Sequence, residues 1–386
     1  MQTLDTPFPD QMRLISRLAG AIRRGDKLSF LIGSALTAPN KDTKEPGVLS
    51  VADIIAKTEA IFHGTADQRD YISLMEKCAS PAEKYQAAMR FLLETQGQKS
   101  LNAIIQESVL NARKSPPIKA IEGEYEKLED EVNGWHLRPA IKALGELITS
   151  FPQTFSSPTL TTNFDPLLKI SIRTAGGEAQ AVALSGDGLF DNVSGGSAHR
   201  IIHFHGYWHG SDTLHTPLQL KRPRPRLKGC LRDHLGNNCL VVMGYGGWDD
   251  VFTKTLIEIV AEERSKIDVI WCFYSNNDDE IRANTAFFKE VEPALHGRFM
   301  VYKGIDCHDI LPKVHVRATQ EKEEARAKDS FKTLHIVQPE VSASDIAIHT
   351  QTAAILTVSI DSSDIAPLEL ECDSPPSVST WVGRCD

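Results

Sequence analysis

The ten residues LSFLIGSALT at positions 28–37 decide the fold class, because they join a short apolar run to a turn of small residues. An apolar run of this length that ends in glycine is typical of a buried parallel strand that enters a tight turn. Residues 11–25 before it have the apolar spacing of an amphipathic helix. Strand-like runs then recur along the chain, at residues 158–161, 200–204, 239–243, 268–273 and 298–302.

Helical stretches such as residues 250–264 and 279–290 separate several of these strands. Strands that alternate with helices predict βαβ units. We therefore predict an α/β fold, a Rossmann-like parallel sheet with helices on both faces. Residues 51–151 are helical in period and rich in Ala, Glu, Lys and Leu, and we interpret them as a large helical insertion.

Composition excludes several classes of protein. The 386 residues carry a formal net charge of −9, which argues against nucleic acid as the main ligand because a phosphate-binding surface needs excess Lys and Arg. We find neither a signal peptide nor an apolar window long enough for a membrane span, and we expect a cytoplasmic protein without membrane contact. The seven cysteines are scattered and never spaced as CxxC, which disfavours a disulfide framework and a thiolate zinc site.

Four polar motifs follow apolar runs directly, where the predicted parallel strands end. They are GSALT at residues 33–37, TTNFD at 161–165, HFHG at 203–206 and GYGGWDD at 244–250. Ligands of parallel α/β sheets bind beyond the carboxyl ends of the strands. The four motifs are therefore the candidates for a ligand site.

The glycine-containing loops and the TTNFD motif each have a plainer alternative. The small residues of GSALT and GYGGWDD permit backbone N–H groups to approach a pyrophosphate, although glycine after a strand more often serves only the turn. Asn163 and Asp165 are two positions apart and share one face of an extended segment, where they can orient ribose hydroxyls and a water. The alternative for this pair is a turn and helix cap before Pro166.

His203 and His205 are also two positions apart and share a face if the segment is extended. An imidazole there is suited to take a proton from a ribose hydroxyl. The alternatives are buried, hydrogen-bonded histidines, or an HxH metal pair completed by His209, Asp165 or Asp249. No spacing ties those further ligands together, and we predict no metal.

The strongest basic cluster is KRPRPRLK at residues 221–228. Proline at alternate positions predicts an exposed, extended strip. Such a strip is usually a solvated loop or a partner contact, and nucleic-acid contact is the alternative.

The four ordered motifs resemble those of the sirtuin family, over about residues 28–310. GSALT stands where sirtuins have a GAGxS loop, TTNFD corresponds to TQNID, the pair His205-Gly206 to the catalytic HG, and GYGGWDD to the GTS loop. The segment PGVL at 46–49 resembles the downstream GIP segment. Asn276 resembles the asparagine that meets the adenosine ribose, and GID at 304–306 resembles the late segment that closes over the adenine.

The resemblance implies NAD as the substrate and gives each motif a role. His205 would be the catalytic histidine, and Asn163 and Asp165 would hold the nicotinamide ribose and a water. The residues that the resemblance assigns to NAD binding are Gly33, Ser34, Ala35, Thr37, Leu49, Gly244, Tyr245, Gly246, Asp249, Asn276 and Asp306.

Three departures separate this chain from the protein-deacylating sirtuins. Ala35 replaces the second glycine of the first loop, and the arginine expected after the GIP segment has no clear counterpart. The four-cysteine zinc module is absent, and the helical stretch 51–151 is inserted instead. Because that module helps to build the acyl-lysine groove, water becomes the expected acceptor.

The pattern is more similar to the sirtuin-like effector domains of bacterial antiphage systems, which degrade NAD to nicotinamide and ADP-ribose. The closing residues WVGRCD also resemble the opening of signal-transduction NTPase modules. We predict a catalytic domain at residues 1–312, a charged helix or linker at 313–334, and a small β-prone segment and linker at 335–386 that leads into an NTPase sensor. The expected protein is a homo-oligomeric NAD glycohydrolase that depletes cellular NAD.

Three alternatives stay open at the level of sequence. The first is an NAD-dependent protein deacylase, which the missing zinc module disfavours. The second is a non-catalytic module that senses NAD or ADP-ribose. The third is a nucleic-acid-associated subunit that uses the basic cluster at residues 221–228.

Overall fold

The structure is a computed structural model. It describes residues 8–40, 42–115, 124–188, 198–220, 222–236, 238–246, 251–260, 266–283 and 298–332. The chain divides after Glu321 into two units, and of the second unit the description covers residues 322–332. The predicted β-prone segment and linker at 335–386 lie outside the described residues.

Within the described residues, a parallel sheet of seven strands organises the first unit. In chain order the strands are β1 (Leu28–Ile32), β2 (Thr159–Thr161), β3 (Ala179–Ala183), β4 (His199–His203), β5 (Cys239–Met243), β6 (Asp268–Cys272) and β7 (Phe299–Tyr302). Their order across the sheet is β3-β4-β2-β1-β5-β6-β7, and every neighbouring pair is parallel. The predicted Rossmann-like α/β fold is confirmed.

The register brings the four sequence motifs to one edge of the sheet. Thr161 at the end of β2 pairs with His203 of β4 on one side and with Ile32 of β1 on the other. Ile32 in turn pairs with Met243, the last residue of β5. The four strands that precede the motifs are therefore adjacent in the sheet and end at the same level, so the motifs begin side by side.

Helices surround the sheet. They are α1 (Gln11–Arg24), α2 (Val51–Phe62), α3 (Gln68–Glu76), α4 (Pro81–Leu110), α5 (Tyr125–Asp130), α6 (Pro139–Ser150), α7 (Leu167–Thr174), α8 (Pro217–Leu220), α9 (Pro225–Leu235), α10 (Val251–Val260), α11 (Asp278–Ala283) and α12 (Cys307–Lys332). Short 3-10 turns occur at Ser34–Leu36 and Val132–Gly134.

Two hydrophobic cores, one on each face of the sheet, explain why β1 is apolar throughout. Phe30 and Ile32 pack into the larger core, together with side chains of α1, α4, α6 and α7. Leu31, which points to the opposite face, packs into the second core with side chains of α9 and α10. Alternate residues of a strand face opposite sides, so both sides of β1 are buried and helices cover both faces as predicted.

The helical periodicity of residues 51–151 is borne out over its described part, which contains α2 to α6. Helix α4 bends at Gly97, whose φ of 79° lies in the left-handed region that favours glycine. Residues 116–123 lie outside the description. The described part of the chain contains no zinc ribbon, and no helix there is long and apolar enough to cross a membrane.

Two local expectations differ from the structure. Strand β3 was not predicted, because its sequence AQAVA is only half buried at the edge of the sheet and lacks the branched apolar residues of the other strands. The prediction of an exposed, extended strip at residues 221–228 is correct in part: Arg222, Pro223, Pro225 and Arg226 are exposed, but the extended conformation is wrong from Pro225 onward. Helix α9 begins at Pro225, and Arg224 is buried, where its guanidinium donates to the carbonyls of Leu184 and Phe204 at 3.1 and 2.8 Å.

Candidate active site

A cleft lies over the carboxyl ends of β4, β2, β1 and β5. Ten of the residues singled out from the sequence line it: Gly33, Ser34, Thr37, Leu49, Asn163, Asp165, His205, Gly244, Tyr245 and Gly246. Helices α2 and α4 contribute an apolar wall that includes Ile54, Ile105 and Val109. We call this space the first cavity.

Asn163 is held by backbone and side-chain hydrogen bonds from two neighbouring strands. Its side-chain amide donates to the Gly33 carbonyl at 3.2 Å and to the Thr37 hydroxyl at 3.4 Å. Its backbone N–H donates to the Thr161 hydroxyl at 3.0 Å. The residue is 7% exposed, so the orientation of its amide is fixed before any ligand binds.

Asp165 forms a turn before α7, and it also lies in the wall of the first cavity. One carboxylate oxygen accepts from the Leu167 N–H at 3.1 Å, at the start of α7, and the other accepts from the Thr37 hydroxyl at 3.0 Å. The carboxylate also lines the first cavity. Burial raises its pKa to about 6, although the hydrogen bonds from Leu167 and Thr37 act in the opposite direction.

The two histidines of the third motif have different surroundings, so the expectation that they share a face is wrong. His205 lines the first cavity, whereas His203 does not. The Nδ1 of His203 lies 2.7 Å from the Asn163 carbonyl, and burial lowers its pKa to about 4. The strand ends at His203, and Gly206 then turns the chain with a φ of 90°, which breaks the alternation after the strand.

The first and fourth motifs touch each other at the centre of the sheet edge. A Cβ added to Gly33 would lie 2.1 Å from the Gly244 carbonyl oxygen, and Gly244 itself has a φ of 68°. After β1 the chain continues to β2 on one side of β1, and after β4 it crosses to β5 on the other side. The junction between β1 and β5 is therefore the topological switch point, where ligands of such sheets bind. The close approach leaves no room for any side chain at Gly33.

A second cavity continues from this junction toward β6 and β7. It shares the segment Gly244–Gly246 with the first cavity, and Ala35 and Asp306 also line it. Asp306 accepts from the His308 N–H at 2.8 Å at the start of α12, and the His308 ring lies 3.0 Å from the Ala35 carbonyl.

One predicted binding residue joins neither cavity, and a second lies outside the described residues. Asn276 is exposed after β6 and packs against Gly304, where an added Cβ would lie 2.0 Å from the Asn276 side-chain oxygen. It lines neither cavity. Asp249, the other residue, lies outside the described part of the chain.

Three polar residues of the first cavity were missed by the sequence argument: Tyr85, Ser108 and His215. The Tyr85 hydroxyl lies 2.7 Å from Nδ1 of His215, whose Nε2 lies 2.8 Å from the Thr213 hydroxyl. Burial and the nearby His205 lower the pKa of His215 to about 3, which keeps it neutral. Tyr85 and Ser108 belong to α4, far from every motif, so no local pattern indicated them.

The metal alternative finds no support in the described residues, where no group of three or more His, Cys, Asp or Glu side chains is arranged to hold an ion. His203 lies against the Asn163 carbonyl, and the Nε2 of His209 lies 2.8 Å from the Glu129 carboxylate. His203, His205 and His209 therefore do not come together as ligands of one ion.

Comparison with known families gives one match. The model of the SIR2-like domain matches residues 158–293, a span that contains β2 to β6 and three of the four motifs. Residues 158–293 are therefore similar to the sirtuin-type, NAD-related domains. No curated protein matches the chain.

Among solved structures, the chain is similar to the crystal structure of cytosolic 5′-nucleotidase IIIB bound to cytidine. The TM-score is 0.32 at 12% sequence identity, over 81% of this chain and 92% of that one. A likeness at this level carries no argument about fold or function.

Proposed function

We propose that this protein binds NAD along the sheet edge and hydrolyses the bond between nicotinamide and ribose. The observation that carries the proposal is the order of the motifs in space. His205, Asn163, Gly33 and Gly244 follow four adjacent strands, and two cavities meet at the glycine junction between them. A dinucleotide has this same succession of base, ribose, diphosphate, ribose and base.

The glycine junction suits the diphosphate. Backbone N–H groups after β1 and β5 come close to the ligand there because Gly33 carries no side chain. The nicotinamide ribose would then extend into the first cavity beside Asn163 and Asp165. The adenosine would extend into the second cavity, toward Asp306.

The chemistry requires charge stabilisation and a base. When the glycosidic C–N bond breaks, its electron pair goes to nicotinamide, which leaves uncharged, and positive charge develops on the ribose. The Asp165 carboxylate is largely ionised at neutral pH, since burial raises its pKa only to about 6, and it can stabilise that charge. Water adds to the anomeric carbon, and His205 is the base for the water or for a ribose hydroxyl.

We propose water as the acceptor because the described residues hold no zinc module of the kind that helps to build an acyl-lysine groove, and side chains of α2 and α4 line the first cavity. Asn163 and Asp165 would hold the ribose and a water there. By its motifs the chain resembles antiphage effectors, and we extend the proposal to depletion of cellular NAD by a homo-oligomer that an NTPase sensor controls. The similarity of TTNFD, HFHGY and GYGGWDD to those effectors supports this extension.

The test is to incubate the protein with NAD alone and to quantify nicotinamide and ADP-ribose. We expect both products in equal amounts, and a loss of about 1,000-fold or more in rate for His205→Ala and for Asn163→Ala. His315→Ala is the matched control, since His315 lies on α12 outside both cavities and pairs with Glu146. Turnover that survives both active-site substitutions contradicts the site, and turnover only with an acetylated peptide favours a deacylase.

A further inference from the structure

A buried carboxylate outside both cavities holds the segment that follows His205. The Glu129 Oε1 accepts from the Tyr207 hydroxyl at 2.8 Å, the Trp208 indole N–H at 2.7 Å and the His209 Nε2–H at 2.8 Å. Three consecutive side chains thus bind one oxygen atom of α5. Its other oxygen accepts from Lys169 of α7 at 2.7 Å.

Glu129 is 1% exposed, and a carboxylate so buried needs several donors to stay ionised. Burial alone would raise the pKa of Glu129, but the donors from His209, Lys169 and Trp208 lower it to about 2. Hydrogen bonds to a charged acceptor are roughly twice as strong as those between neutral groups. The carboxylate therefore fixes the three side chains more rigidly than a neutral acceptor does.

The segment held by Glu129 is also connected through the backbone to both catalytic candidates. His205 precedes it by one glycine, and the His205 carbonyl accepts from the Leu214 N–H at 2.8 Å. The backbone N–H of Trp208 donates to the carbonyl of Phe164 at 3.0 Å. Phe164 is the residue between Asn163 and Asp165. A shift of residues 207–209 would therefore displace the histidine and the amide together.

We propose that Glu129 is a positioning residue that sets the place of His205 and of the Asn163–Asp165 segment through Tyr207, Trp208 and His209. It lines neither cavity, so it acts through the segment and not on the ligand. Effects on the reacting geometry lower the rate of the chemical step, and a misplacement of about 1 Å can cost about 100-fold. The inference rests on the proposed NAD hydrolysis for its kinetic consequence only.

The experiment replaces Glu129 by Gln in the full chain. We expect kcat for NAD hydrolysis to fall about tenfold or more, while KM stays within about twofold, since no ligand contact is lost. Arg173→Gln is the matched control, because Arg173 of α7 binds the same helix through the Glu129 backbone carbonyl and Asp130 but not the Glu129 carboxylate. That control is expected to keep the wild-type kcat.

A second readout does not depend on turnover. The imidazole resonance of His205, assigned by its loss in His205→Ala, is expected to move in Glu129→Gln and to stay in place in Arg173→Gln. If Glu129→Gln does not fold, Tyr207→Phe removes one donor and should lower kcat about threefold at constant KM. An unmoved resonance with wild-type kcat, or equal losses in Arg173→Gln, overturns the inference. Wild-type protein that leaves NAD intact contradicts the proposed function, and the resonance then decides this inference alone.

Discussion

The two halves of the sheet edge are built differently. At the ends of β4 and β2, Asn163, Asp165 and His205 are all 8% exposed or less, under the apolar wall of α2 and α4. At the ends of β6 and β7, Tyr274 is 79% exposed and Asp306 is exposed. One half is a closed, hydrogen-bonded site, and the other is an open surface beside a large cavity.

This difference indicates which half of the sheet edge is suited to catalysis. Groups that stabilise a transition state act best when they are fixed beforehand and shielded from water. Groups that only recognise a ligand can remain exposed, where each contact contributes less because water competes for it. We therefore expect substitutions at the closed half and at the junction to affect rate strongly, and substitutions at the open half to affect affinity weakly.

After the loss of His205 or Asn163, the largest effect is expected at the junction, for Gly33→Ala. The new Cβ would lie 2.1 Å from the Gly244 carbonyl oxygen, so the two backbones must separate and the shared rim of the cavities is displaced. We expect a loss of about 100-fold in NAD hydrolysis, together with a lower melting temperature. Steady-state kinetics and thermal unfolding measure both.

Gly229→Ala is its matched control. Nothing lies within 4 Å of a Cβ at Gly229, which belongs to α9, and alanine there favours the helix by up to about 1 kcal/mol. A Gly33→Ala protein that is as active and stable as Gly229→Ala would mean that the two loops do not meet as described.

The next effect is a gain in stability for Asp165→Asn. Burial raises the pKa of this carboxyl from 3.8 to about 6 in the folded protein, so ionisation there favours the unfolded state. The stability associated with protonated Asp165 is complete below about pH 4 and is lost as pH rises through about 6. Asp165→Asn removes this loss. Above pH 6 we expect the free energy of unfolding of the variant to exceed that of the wild type by on the order of 2 to 3 kcal/mol.

Denaturant unfolding from pH 4 to pH 8 measures this difference. The amide of the variant side chain retains an oxygen for the Leu167 N–H, while the activity should fall because the charge near the ribose is gone. Asp70→Asn on the exposed surface of α3 serves as the control for the loss of one carboxylate. If Asp165→Asn and wild type differ in free energy of unfolding by an amount that does not change with pH, the raised pKa of the buried Asp165 carboxyl is contradicted.

The smallest effect is expected at the open half, for Tyr274→Ala. Tyr274 lines the second cavity with an exposed ring, which is suited to stack on the adenine base. Such a contact contributes roughly 1 kcal/mol, or about fivefold in the dissociation constant of NAD. Calorimetry should show that weakening for NAD and none for nicotinamide mononucleotide, which lacks the adenosine. Equal weakening for both ligands would place the base elsewhere.

Sequence predicted the closed half better than the open half. The motifs at residues 161–165 and 203–206 lie at strand ends. The apolar runs in the sequence locate those strands, and the rule that ligands bind beyond the carboxyl ends of parallel strands then gives the position of the motifs. Asn276 was assigned by resemblance to the same edge and lies outside both cavities. A loop residue after a strand is not constrained by the strand's alternation, so its place depends on contacts such as the one with Gly304.

Residues that helices contribute to the site could not be predicted from the sequence. Tyr85 and Ser108 meet the motifs only because α4 packs over the sheet edge, a contact that no local pattern encodes. Glu129 in the sequence YEKLED looks like one of several acidic residues on a charged helix. Only the packing of α5 against residues 207–209 and against Lys169 distinguishes it, with four donors on one buried carboxylate.

A crystal structure of His205→Ala with NAD tests the central claim most directly, because the substitution slows turnover and leaves both cavities in place. The account predicts one NAD molecule across the two cavities. Its nicotinamide ribose should lie within hydrogen-bond distance of Asn163 or Asp165, its diphosphate at the junction of Gly33 and Gly244, and its adenosine in the second cavity. NAD bound away from the glycine junction, or with its nicotinamide in the second cavity, would contradict the account.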